Sequence, residues 1–174
     1  RLTKEEILST LEQIRQTIIH QHNGLFLHTI NNLINKIEVF GLHFASLDIR
    51  QDSSVHGKLF ETLAGKGTIL PGDYSSLSQE DKIKALSSID SIAYPELLDD
   101  PIHRDTLKSI AAIRTIQQFN GPDGCHRYII SQCNSALNAM EVFGLFLLNG
   151  WKPEEINIDI VPLFETIDDL QNAA

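Results

Sequence analysis

Three short apolar runs, at 42–49, 127–131 and 156–164, alternate with helical patterns, and this alternation constrains the fold more than any other feature. Strand, helix, strand, helix, strand in series requires parallel pairing, because a parallel neighbour is reached only by a crossover, usually a helix. The first run carries Asp48 inside it and ends on Arg50. The last ends on Glu165. The chain therefore reads as α/β, with a barrel segment and an open doubly wound sheet both compatible.

The helices are marked by their caps. Thr3 and Glu6 form a capping box ahead of Ile7, Leu11, Ile14 and Ile18, which make one apolar stripe ended by Asn23-Gly24. A second helix over 26–40, with Ile30, Leu33, Ile34 and Ile37 inward, stops at Gly41. Residues 1–40 are thus expected to form a helical hairpin and 41–174 a set of βα units, all within one piece. Ser53 or Ser54 caps a helix through His56, Leu59, Phe60 and Leu63, and 64–77 reads as an exposed loop. Ser78 and Asp81 open a helix bearing Ile83 and Leu86. Asp100-Pro101 opens the longest helix, with proline where no amide is needed. Asn134 or Ser135 caps 136–148, closed by Asn149-Gly150, and Leu145 to Leu148 with Met140 and Phe143 read as core packing.

Charge narrows the partners. The chain has 23 acidic against 14 basic residues, so it lacks the basic surface that nucleic acid or an anionic membrane requires. A small anionic substrate remains compatible, since a few converging cations outweigh net charge locally. The apolar run near 142–148 is too short to span a bilayer, and the amphipathic, charged first helix is unlike a secretory leader. Cys125 and Cys133 lack metal-ligand spacing and are expected as two buried thiols in a reducing cytosol. The absence of an initial Met and the stop soon after the last strand lead to the expectation of a piece of a longer protein.

Parallel α/β folds build their sites from strand C-terminal ends and the turns after them. Here those exits present Arg50 with Gln51, Ser131 with Gln132, and Glu165 with Thr166, predicted to share one sheet edge. Arg50 can clamp a phosphate or carboxylate with its planar fork, or it can pair with Asp48 on the same strand face. Glu165 can ligate a divalent cation, or it can be an acid favoured by a helix N-terminus, the reading given to Asp168 and Asp169. His43, within the first strand, and His56 read as hydrogen-bonded structural groups. His20, His22 and His28 do not share a helical face, and no Gly-rich phosphate loop or nucleophile–base pair is present.

Glu38-Val39-Phe40-Gly41 followed by His43, Ala45, Asp48, Arg50-Gln51, Ser53 and His56 forms one long motif. Pro162-Leu163-Phe164-Glu165-Thr166 with Asp169-Leu170 forms a second. Between them stand Tyr128, Ile130-Ser131, Ser135 and Glu141-Val142. Together they resemble the phosphoenolpyruvate carboxylases, from residue 37 onward and more weakly before it. The resemblance implies a partial TIM-barrel-like segment with three parallel strands and several long helices. It also implies a cytoplasmic homotetramer that joins bicarbonate to phosphoenolpyruvate with Mg²⁺ or Mn²⁺, giving oxaloacetate and phosphate. It assigns Arg50 to catalysis and substrate phosphate, Gln51 to a supporting substrate contact, and Glu165 to the metal, with His56 and Ser131 in support. Asn138 stands where many members carry Asp. The family's second metal carboxylate and catalytic lysine would lie beyond residue 174, so this piece alone is expected to be inactive, with open sheet edges. The alternative expectation is a non-catalytic α/β module that serves assembly.

Overall fold

The computed structural model describes residues 2–171 and divides into two compact units between Ser46 and Leu47. Among the described residues there are seven α-helices and three strands.

The first unit is a pair of helices, α1 (Lys4–Gln21) and α2 (Leu27–Phe40). The capping box at Thr3 and Glu6 forms as the sequence indicates. Helix α1 stops where Asn23 and Gly24 turn left-handed, with the Gly24 amide donating to the Ile18 carbonyl at 2.9 Å. Of the expected stripe only Leu11 is buried, while Ile14 and Leu33 are over two-fifths exposed. Within the unit each helix has one neighbour, and one neighbour covers only a narrow strip.

The strand expected at 42–49 begins later. Gly41 and Phe44 have φ of 56° and 65°, and the Phe44 amide donates back to the Phe40 carbonyl at 2.9 Å. The Phe40 and Phe44 rings stack with centroids 5.3 Å apart. Turn bonds and that stack take residues 42–46, so His43 lies in a turn against Gly41 and not in a strand.

The second unit holds the sheet: β1 (Asp48–Asp52), β2 (Arg127–Ser131) and β3 (Asp159–Pro162), in the order β1-β2-β3 and parallel throughout. Arg50 stands opposite Ile129, and Ile130 opposite Pro162. Strand β3 is shorter than the run 156–164; one further ladder bond, Leu163 amide to Ile130 carbonyl, follows it at 2.9 Å. Around the sheet lie α3 (Ser53–Gly65), α4 (Gln79–Ser87), α5 (Pro101–Asn120), α6 (Ala136–Leu148) and α7 (Ile167–Gln171).

Leu59, Phe60, Leu107, Ile110, Tyr128, Ile130, Leu145 and Phe146 are fully buried and form one core. At about 25 cal/mol per Å² of apolar area, each such side chain contributes on the order of 2 kcal/mol. Segment 64–77 is not simply exposed, since Leu70 and Tyr74 are buried and Tyr74 meets the Phe60 ring at 6.5 Å. Asp52, not Ser53 or Ser54, caps α3, its carboxylate accepting the Ser54 amide at 2.9 Å. Ser135 holds the N-cap position of α6 without a side-chain capping bond.

Candidate anion site at the strand exits

The parallel register sends β1, β2 and β3 out on one edge, and the turns beyond them meet at Glu165. Arg50 Nη2 lies 3.2 Å from Glu165 Oε1, although 115 positions separate them in the chain. Their strands flank β2, so roughly 10 Å lies between them, a gap that a long arginine crosses. The Gln132 amide, directly after β2, donates to Glu165 Oε2 at 3.3 Å. The carboxylate is thus held at both oxygens, one by a cation from β1 and one by a backbone donor from β2.

The backbone of Glu165 is held as firmly. Asp169 Oδ2 accepts the Glu165 and Thr166 amides, each at 2.9 Å, and the Asp169 amide donates to Thr166 Oγ1 at 3.1 Å. These bonds hold the Asp169 carboxyl below its ordinary value. Asp169 therefore fixes the turn that carries Glu165, a role beyond complementing the helix dipole.

Arg50 and Glu165 are 55% and 41% exposed, so neither ion is sealed in the interior. Asp48 takes a different mate: its Oδ1 lies 3.7 Å from Nε of Arg127, which stands opposite it in the β1–β2 register. The local Asp48–Arg50 pair that the strand face permits is not the one that forms.

Gln51 alternates to the opposite strand face. Its Nε2 donates to Thr106 Oγ1 on α5 at 3.4 Å, and its Oε1 accepts the Asp52 amide at 2.9 Å. Ser131 Oγ donates to the Gln51 carbonyl at 3.3 Å and ties the β1 and β2 exits together. His56 is fully buried beneath them, with Nε2 2.9 Å from the Tyr128 hydroxyl. Burial lowers its pKa to about 4, which makes it a neutral, hydrogen-bonded structural group at physiological pH. Cys125 and Cys133 are buried free thiols, both pushed up by burial.

Among the described residues no group of three or more His, Cys, Asp or Glu side chains could hold a metal ion. Mg²⁺ demands near-octahedral oxygen coordination. Glu165 offers a single carboxylate with both oxygens already engaged, so these residues supply one candidate ligand and no cage. Likewise no helix among them is long and apolar enough to cross a membrane.

Sequence reasoning reached Arg50 and Glu165 but not the groups that join them. The Gln132 amide carries no side-chain signature. The Ser53 hydroxyl, read as a cap, instead donates to the Gln132 carbonyl at 2.8 Å.

Comparison with known proteins places this edge in context. The sequence model of the phosphoenolpyruvate carboxylase family matches residues 2–174. Similar proteins include the phosphoenolpyruvate carboxylases of a Synechocystis species (34% identical over 98% of this chain and 17% of the relative) and Gloeobacter violaceus (30%, 97% and 18%). That of Trichormus variabilis is 31% identical over 95% of this chain and 17% of the relative. The chain therefore spans about 17% of the length of the curated relatives it matches.

Proposed function

Since the chain belongs to the phosphoenolpyruvate carboxylase family, we propose that it is the part of such an enzyme that builds one wall of the phosphate and metal site. The single observation that carries this reading is the meeting of Arg50 and Glu165 across three parallel strand exits at 3.2 Å, with both side chains open to solvent. In it, the three strands form an arc of a (β/α)₈ barrel whose remaining strands come from elsewhere in a longer, cytoplasmic, homotetrameric protein.

The proposed reaction moves phosphate from phosphoenolpyruvate to bicarbonate and carboxylates the resulting enolate to oxaloacetate. Negative charge shifts across the transferring phosphoryl oxygens. Arg50 is proposed to clamp two of them at once, positioning the group and stabilising the charge where it develops. Gln51 is proposed as the neighbouring substrate contact at the same strand end, which requires its amide to leave Thr106, 3.4 Å away on the strand face opposite Arg50. Glu165 is proposed to contribute one oxygen to a divalent ion, Mg²⁺ or Mn²⁺, whose other ligands lie outside this chain. Such an ion supplies Lewis-acid polarisation of phosphoryl and enolate oxygens.

A second reading rests on the same contact. A non-catalytic assembly module would use the Arg50–Glu165 pair structurally, and the exposed Phe26, Val39 and Phe44 of the helical unit would serve contacts. Arg50→Ala and Glu165→Gln in the full-length protein separate the two. The enzyme reading expects kcat/KM for phosphoenolpyruvate to fall on the order of 100-fold or more, with the thermal midpoint nearly unchanged, because an exposed pair contributes about 0–1 kcal/mol. Full activity with a lowered midpoint would establish the second reading instead.

A further inference from the structure

Arginine presents two planar forks, one made by Nε with an Nη2 hydrogen and one by Nη1 with the other, so both forks include Nη2. At Arg50 it is Nη2 that lies 3.2 Å from Glu165 Oε1. A carboxylate there occupies one fork and sets its negative charge beside the other. A phosphate that takes two Arg50 donors at once therefore meets a competitor built into the chain.

The contact is suited to exchange. Both side chains are open to solvent, and an exposed pair adds little to folding, so opening it costs the fold little. Asp48, two residues back on the same strand face, does not take the place, because it pairs with Arg127 at 3.7 Å. Glu165 is delivered by bonds that do not involve Arg50. Asp169 Oδ2 accepts the Glu165 and Thr166 amides, each at 2.9 Å. The amide of Gln132, whose φ is 52°, donates to Glu165 Oε2 at 3.3 Å. None of these bonds uses Oε1, so that oxygen can leave Arg50 while the others hold.

We propose that Glu165 is an autoinhibitory competitor for the Arg50 fork: an arriving phosphate group displaces the carboxylate, and Arg50 binds phosphate more weakly than it would without Glu165. This rests on the reading of Arg50 as the phosphate clamp given above, and it needs no metal ion. The consequence is loose retention of inorganic phosphate, a product of the proposed reaction. A substrate with further contacts recovers what the exchange costs.

The test titrates inorganic phosphate into the full-length protein by calorimetry, with EDTA present to keep metal ions out. Glu165→Gln should tighten binding about twofold to fivefold, the size of an exposed ion pair. Glu165→Asp keeps the charge but is one methylene shorter, and it should tighten binding likewise, which separates loss of the contact from loss of charge. Arg50→Gln should weaken binding about tenfold or more, the size of a hydrogen bond to a charged group. In that background Glu165→Gln should have no further effect. Unchanged affinity in Glu165→Gln would overturn the competitor role and leave Arg50 as the clamp. So would a Glu165→Asp that matches the parent while Glu165→Gln tightens. Phosphate binding indifferent to Arg50→Gln would instead remove the clamp reading, and the competitor role with it.

Discussion

Glu141 on α6 is buried, with Oε2 accepting the Asn138 amide nitrogen at 3.2 Å and Oε1 close against Gly57. Burial pushes its carboxyl up to about 7, Asn138 and Lys82 oppose the shift, and Glu61 adds to it. Unfolded, the group titrates near 4.5. Between those values the folded chain binds more protons than the unfolded one, so the contribution of Glu141 to stability falls as pH rises. At about 1.4 kcal/mol per unit, the loss from pH 5 to pH 8 is about 2–3 kcal/mol. Glu141→Gln keeps an acceptor for Asn138 and cannot ionise. Its stability advantage over the parent should therefore grow by that amount between pH 5 and pH 8. Urea unfolding followed by the fluorescence of Trp151, the single tryptophan and itself buried, reports the same unit. His56 acts in the opposite sense: held neutral with a pKa of about 4, it withdraws stability as pH falls from 6.5 toward 4. That term is common to parent and variant and cancels in the difference. A Glu141→Gln advantage that stays constant from pH 5 to pH 8 would refute the burial argument.

Other perturbations have definite expected results. Gly144→Ala would place a Cβ 3.0 Å from Phe60 Cζ and 3.2 Å from Leu86 Cδ2; overpacking should cost about 1–2 kcal/mol in urea unfolding. Gly65→Ala meets nothing within 4 Å and should gain up to about 1 kcal/mol, so equal effects at the two sites would contradict the packing described. The 174-residue chain alone should make no oxaloacetate, and its calorimetric Mg²⁺ affinity should be on the order of 1 mM or weaker, since one carboxylate is a poor cage. Micromolar binding would show a ligand set that this account lacks. Among the described residues the outer edges of β1 and β3 are unpaired in the sheet order, so sedimentation should show association rising with concentration; a monomer at high concentration would speak against open edges.

What the sequence disclosed depended on whether the signal was local. Helix caps and stops at Thr3, Ser78, Asp100 and Gly41 are short-range chemistry, and the structure places them as the residues indicate. The limits of β2 and α6 were readable because turn residues bracket them. The start of β1 was not: Leu42 and Phe44 are strand-like by composition, but a left-handed backbone and an aromatic stack take them into a turn. Sharing of one edge by Arg50 and Glu165 followed from parallel topology. Their joining through a bent backbone at Gln132 could not be read, because glutamine carries no preference for positive φ. Likewise the choice of Arg127 by Asp48 depends on interstrand register, which no local pattern specifies.

The central claim is that Arg50 and Glu165 face one ligand site. Anomalous diffraction from crystals of the full-length protein with Mn²⁺ and a phosphoenolpyruvate analogue tests it most directly. The expected result is a metal peak about 2.2 Å from a Glu165 oxygen, close to the oxygen distances of such ions, with the Arg50 guanidinium about 2.9 Å from phosphate oxygens. A metal and phosphate bound elsewhere, with Arg50 still paired to Glu165 as at 3.2 Å, would contradict it.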